Sequence, residues 1–134
     1  MTNNEKVTYW IKLSDEDLRA GRTLLIGGHY LYVGFMCHQC IEKIFKAVYE
    51  HLINDTPPFI HDLMQIANKA GIFEKLDDEQ IGFIERLSPL NIRARYPDYK
   101  KNLAREMTKA VCENLIANTQ KLQQWTKEQI LLTK

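Results

Sequence analysis

The chain has 134 residues, 45 per cent of them hydrophobic and 26 per cent charged, with a formal net charge of +1. That length and balance predict one globular domain, and the near-neutral charge excludes a protein that coats nucleic acid by electrostatics alone. No apolar run approaches the roughly 20 residues needed to cross a bilayer, and the opening "MTNNEKVTYW" carries no secretion signal, so the expected location is the cytoplasm, away from any membrane.

No segment alternates over strand length; apolar residues recur at spacings of three and four, so the chain reads as all-α. Val7, Ile11, Leu18 and Leu25, with Ser14 and Gly21 in the same stripe, predict helix one over about residues 5–26, ended by Gly27 and Gly28. Gly21 inside it costs about 1 kcal/mol relative to alanine, tolerable where a neighbouring helix packs close. Helix two is expected over about residues 30–53, with Cys37, Ile41, Ile44, Val48 and Leu52 on one stripe and Phe35, Cys40 and Phe45 widening it. His38, Glu42, Lys46 and Glu50 follow every four residues on its remaining face, in the order that suits solvated pairs.

"NDTPP" then breaks the chain. Leu63, Ile66, Ala67 and Ala70 predict a shorter third helix stopped by Gly71. Asp77 and Gln80 form a capping box that starts helix four, whose Ile81, Ile84 and Leu87 face inward. Pro89 and Pro97 bracket "LNIRARY", a kinked continuation or a connector. The last helix is expected from about Tyr99 to the C-terminal end, with Leu103, Met107, Ala110, Leu115, Leu122 and Trp125 on its apolar side. Long helices joined by short loops are antiparallel neighbours, so the expected architecture is an up-and-down bundle of four long helices plus a short extra helix.

Charge is unevenly spread. Residues 1–92 carry 9 basic and 13 acidic side chains, whereas residues 93–134 carry 9 and 4. The positive field is concentrated at Arg93, Arg95, Lys100, Lys101 and Arg105, a pattern compatible with an anionic ligand or with a solvated helix face. The three cysteines are expected as free thiols. "CHQC", Cys37 to Cys40, has the spacing of zinc and redox sites, but it lies mid-helix with no second pair of ligands, so burial as small hydrophobes is the expectation and no metal or cofactor is assigned. Phosphate-loop, dinucleotide and nucleophile-elbow motifs are absent from the sequence.

Two stretches carry candidate chemistry. His38 and Glu42 on one helical face make either a solvated pair or an acid-base or phosphate-orienting pair. His61 and Asp62 open helix three, where a carboxylate complements the helix dipole. In "NIRARYPDY", residues 91–99, Pro97 pushes Tyr96 out of helical geometry, Asp98 is placed to cap the last helix, and Arg95 either clamps Asp98 or holds a phosphate.

The order "YWIKLSDEDLRAGRTLL", "GGHYLYVGFMCHQCIEKIFKAVYEHL", "IHDLMQIANKAG" and "RARYPDY", with F-x-x-H-Q-x-x-E-K-x-x-K-A, H-D-L and R-Y-P-D-Y inside it, resembles the HEPN domain family (higher eukaryotes and prokaryotes nucleotide-binding) over nearly the whole chain. The resemblance implies a helical bundle, usually a homodimer, often encoded beside a minimal nucleotidyltransferase in a toxin-antitoxin-like pair. Members with an arginine and, after four to six intervening residues, a histidine in a late helix are metal-independent ribonucleases. Here no histidine follows His61, and Arg22 and His29, which have that separation, straddle the end of helix one, where the family does not place the motif. The resemblance therefore implies a binder of a nucleotide or RNA phosphate. Arg95 would hold phosphate, Asp98 would orient Arg95, Arg93 and Lys100 would raise the potential, and Tyr96 or Tyr99 would stack on a base. His38 and Glu42 join only if helix two faces the same cleft. The alternatives are a ribonuclease with a non-standard site, drawing on His38 or His61, and a purely structural dimerisation module.

Overall fold

The computed structural model describes residues 1–132, and among them every regular element is helical. In chain order the helices are α1 (Asn3–Ile26), α2 (Val33–Ile53), α3 (Leu63–Ala70), α4 (Asp78–Leu87), α5 (Leu90–Arg93), α6 (Pro97–Glu106) and α7 (Lys109–Thr126). Short 3-10 turns at Tyr30–Tyr32 and Phe73–Lys75 tighten two connections, and a π-helical turn at Lys127–Leu131 follows α7.

Most boundaries follow from local chemistry. Thr2 caps α1 by accepting from the Glu5 backbone N–H, while the Glu5 side chain accepts from the Thr2 N–H in return. Asp62 caps α3, and Gly71 ends it in the left-handed region at φ 79°. Asp77 and Gln80 form the expected reciprocal box at the start of α4. The last long helix is in two pieces: the chain leaves helical geometry at Met107, and Thr108 accepts from the Val111 N–H to start α7 afresh. The expected continuation to the C-terminal end falls at residues 133 and 134, outside the described residues.

The middle of the bundle is α2. Cys37, Cys40, Ile41, Ile44, Phe45, Ala47 and Val48 are fully buried, packed by α1 on one side, α7 on another and α3 on a third. Two positions depart from the pattern read in the sequence: Leu52 is exposed at the end of the helix, and Ala110 is exposed on α7. The larger correction concerns the polar stripe. His38, Glu42, Lys46 and Glu50 are all buried rather than solvated, because α2 has apolar residues around most of its circumference and neighbours on every side. The cysteines are buried free thiols, and burial pushes Cys37 and Cys40 up to about 12.

Polar contacts tie the three longest helices together. Ser14 donates to the Cys40 carbonyl at 2.7 Å, Gln123 donates to Ser14 at 3.0 Å and to Asp15 at 2.9 Å, and Lys127 reaches Asp15 at 2.7 Å. Such a linked set fixes the register of α1, α2 and α7 where apolar packing alone would tolerate sliding. Gly21 serves the same junction, since a Cβ there would lie 3.1 Å from Ile116 of α7.

Gly34 has the stricter requirement. An added Cβ would stand 2.5 Å from the Leu90 Cδ1 atom, so the absence of a side chain lets α5 lie directly on the start of α2. Gly34→Ala gains about 1 kcal/mol of helix propensity but forces Leu90, itself buried, out of its place, an overpacking cost of up to about 3 kcal/mol. We expect a net loss of about 1–2 kcal/mol in urea unfolding; an alanine variant as stable as the parent would show that α5 yields freely.

Candidate functional site

Three chain segments converge beside the middle of α2. The first is α2 itself, which presents His38, Glu42 and Lys46 one turn apart. The second is the threshold of α3, where His61 precedes the capping Asp62. The third is α5 and the bend after it, which carry Asn91 and Arg95. Gln39 of α2 donates to the Asn91 side chain at 3.4 Å, and the Gly34–Leu90 contact holds α5 close from below.

Glu42 is the hub. Its Oε2 accepts from Lys46 Nζ at 3.0 Å, and both of its oxygens face His61 Nδ1, at 3.0 and 3.2 Å. His38 Nδ1 lies 3.8 Å from Oε1, too far for a hydrogen bond, and among the described residues it is buried without a partner. Lys46 also rests over the Trp10 ring, 5.7 Å from its centre, so its ammonium has an anion and a π-face in place of water. His61 differs from its neighbours because its side chain is 60 per cent exposed. A carboxylate thus holds Nδ1 while most of the ring remains open to solvent, the arrangement that fixes an imidazole's orientation for work at its other nitrogen.

Burial holds His38 neutral, lowering its pKa from the ordinary 6.5 to about 4. The charge of Glu42 opposes that shift, and those of His61 and Arg95 add to it. Gln39, next to His38, donates to the Asn91 side chain, and the Asn91 carbonyl accepts from Arg95, so the two candidate sets that the sequence left separate lie on adjoining elements.

Arg95 is exposed, and its Nε donates back to α5, at the Asn91 carbonyl 3.0 Å away. No carboxylate among the described residues pairs with it. The expected Arg95–Asp98 clamp does not form, and Asp98 does not cap. Pro97 is the first residue of α6 and Tyr96 occupies the cap position in an extended conformation with no side-chain bond, so Asp98 lies inside the first turn. There its charge still complements the positive end of the helix, but it does not orient Arg95.

The remaining cationic candidates divide. Arg93 forms an ion pair with Glu106 of α6, which neutralises it and bridges the bend. Lys100 sits over the Tyr32 ring at 5.5 Å and donates to the Tyr32 hydroxyl at 3.3 Å, keeping its charge. Tyr96 and Tyr99 are each about half exposed, at 53 and 49 per cent, flanking the bend. Sequence reasoning placed Lys46 on a solvated face and gave His61, beside Asp62, a structural place at the start of helix three and a part only in the alternative ribonuclease reading, so it missed that both meet Glu42. It also passed over Phe59, 95 per cent exposed two residues before His61.

Compared with known proteins, residues 7–130 match the family model of the HEPN domain. Among solved structures, the crystal structure of TT1696 from Thermus thermophilus is similar, with a TM-score of 0.78 at 20 per cent identity, covering 92 per cent of this chain and 97 per cent of that one. At that identity the likeness is one of fold. No curated protein matches the sequence.

Proposed function

Because the chain belongs to the HEPN domain family, we propose that it binds a nucleotide or an RNA phosphate, with Arg95 as the principal phosphate ligand. One observation carries this reading: Arg95 is exposed and anchored through Nε, with no carboxylate partner among the described residues. An arginine in that state offers a fork of donors whose geometry fits phosphate oxygens. Tyr96 and Tyr99 supply exposed rings for base stacking, Lys100 adds positive potential, and Arg93 and Asp98 stay in supporting places at the bend. His38 and Glu42 form the buried backing of the same site through His61. We further propose that the protein works in the cytoplasm as a homodimer, paired with a minimal nucleotidyltransferase in a toxin-antitoxin-like unit. No helix among the described residues is long and apolar enough to cross a membrane.

The test is titration of a short single-stranded RNA and of nucleoside triphosphates against the protein and its Arg95→Ala variant. We expect the variant to lose about tenfold or more in affinity, roughly 1.4 kcal/mol or above, with its melting temperature unchanged. Unaltered affinity would remove Arg95 from the site. A fall in melting temperature with no binding to either form would favour a purely structural dimerisation module, a reading that has lost its Arg95–Asp98 clamp.

One observation favours a second reading, ribonuclease activity from a non-standard site. The Glu42–His61 pair gives a carboxylate-oriented, solvent-facing imidazole against α2, the helix to which Asn91 and Gln39 also join Arg95. RNA cleavage without added metal, abolished in both His61→Ala and Arg95→Ala, would establish it; intact RNA after prolonged incubation would leave binding alone.

A further inference from the structure

The segment between α2 and α3 presents one imidazole to solvent in a fixed pose. Pro57 is buried and Ile60 packs against the core, with the Ile60 N–H bonded to the Pro58 carbonyl at 2.9 Å, so the loop is fastened just ahead of His61. Phe59 and His61, on either side of Ile60, are turned outward, the first 95 per cent exposed and the side chain of the second 60 per cent. Behind the ring stands Glu42, whose two oxygens lie 3.0 and 3.2 Å from His61 Nδ1 and whose own place is set by Lys46 at 3.0 Å. Glu42 is buried, and His38 Nδ1, also buried and without a partner among the described residues, lies 3.8 Å from its Oε1, so the carboxylate is walled in behind the exposed ring.

A carboxylate only accepts, so the proton of the His61 ring is held at Nδ1 and the lone pair is left at Nε2, which meets no partner among the described residues. That is the electronic state of a nucleophilic imidazole. When such a nitrogen attacks phosphorus the ring becomes a cation, and the charge nearest its Nδ1–H is that of Glu42. An acid-base histidine needs a second group across the substrate from it, whereas a nucleophile that is itself the substrate needs only access. His61 has the access, and none of its polar contacts among the described residues lies opposite Nε2.

We propose that His61 is a phosphoryl acceptor, taking a phosphoryl group at Nε2 from a phosphoramidate donor. The Nε2–P bond forms as the P–N bond of the donor breaks at its protonated nitrogen; the electron pair of the broken bond leaves on that nitrogen, which departs as a neutral amine, and the His61 ring keeps its Nδ1 proton against Glu42. The donor class follows from the product. Phosphohistidine is itself a phosphoramidate, so a donor with the same kind of P–N bond transfers nearly evenly, while an ordinary phosphate ester is too stable to drive the step. His61 immediately precedes Asp62, the cap of α3, so the added charge falls near the positive end of that helix, and the Asp62 carboxylate is turned to the Gln65 N–H. The proposal is independent of nucleotide binding and of RNA cleavage, and it asks nothing of Arg95.

The probe is potassium phosphoramidate, with phosphorylation followed by intact mass and by peptide mapping under alkaline conditions, which preserve the N–P bond. Exposed His29 and half-buried His51 are internal references, since neither meets a carboxylate among the described residues. We expect His61 to react about tenfold faster than either, or more, and phosphorus NMR to show the Nε2 isomer alone at this residue. The double variant Glu42→Leu/Lys46→Met removes the carboxylate without stranding a charge. In it the His61 rate should fall to that of His29 and the Nδ1 isomer should appear at His61, while His29 and His51 keep their rates; a general loosening of the fold would not produce that pattern. Equal rates at the three histidines, or the Nδ1 isomer at His61, overturn the proposal, and both are read on the parent protein whether or not the double variant folds. An undiminished His61 rate in a folded double variant overturns it too, because Glu42 would then contribute nothing.

Discussion

Glu42→Leu is expected to destabilise the protein by about 3 kcal/mol, near 10 °C in melting temperature for a chain of this size. The cause is the ammonium left behind. Lys46 is 5 per cent exposed, and its ion-pair partner is Glu42 at 3.0 Å. Removing one member of a buried pair strands the other in a medium that cannot solvate it, at a cost of about 3–5 kcal/mol. We place the loss at the lower end because the Trp10 ring remains beneath Lys46 and buried Glu50 stands one turn further along α2. His61 adds little, since its exposed ring regains water. The double variant Glu42→Leu/Lys46→Met separates this cause from simple misfit: with both charges gone, most of the lost stability should return. A double variant as unstable as the single one would mean that shape at Glu42, and not charge, is what the core requires.

The second large effect is an acid-dependent loss traced to His38. Its folded pKa lies below the unfolded value, 6.5 falling to about 4, because burial disfavours the charged ring. Between those values the unfolded chain binds a proton that the folded protein refuses, so stability declines as pH falls from about 6.5 to about 4 and then levels off for this group. A shift of that size corresponds to roughly 3 kcal/mol across the window. Glu42, His61, Arg95 and Asp62 all act on the ring, so the measurement compares slopes. Urea unfolding of the parent and of His38→Asn at about pH 7.5, 5.5 and 4.5 should give a steeper decline in the parent; parallel lines would show that His38 is hydrated in the folded state.

Much of this fold was legible from residue types. The caps at Asp77 with Gln80 and at Gly71, and the stripes of α1 and α2, are local signals, and local signals survive in one dimension. The break at Met107 did not, because Leu103, Met107 and Val111 keep a four-residue spacing straight through it; only Thr108, a good capping residue, marks the interruption. The stripe from His38 to Glu50 was read in the right register and assigned to the wrong environment. Its four-residue spacing is the same for a solvated face and a buried one, and what decides is that α2 is walled in from every direction.

The candidate site was half legible for a related reason. Arg93 and Arg95 stand two residues apart, which on a helix sends their side chains toward opposite sides, so one meets Glu106 and the other meets solvent. Nothing in the sequence says which. Asp98, by contrast, was readable in principle: a proline at the first helical position hands the cap to the residue before it. The approach of His61 to Glu42 joins positions nineteen apart across a proline-containing loop, a contact that only the folded chain reveals.

The placement of α2 bears on how the chain acquires its form. A bundle in which one helix is the common neighbour has no half that is content alone: a fragment stopping in the proline loop would leave a greasy flank of α2 bare, and one starting there would lack its hub. Folding should accordingly be all-or-none, and a gene split in that loop should yield two insoluble pieces that regain solubility only when expressed together.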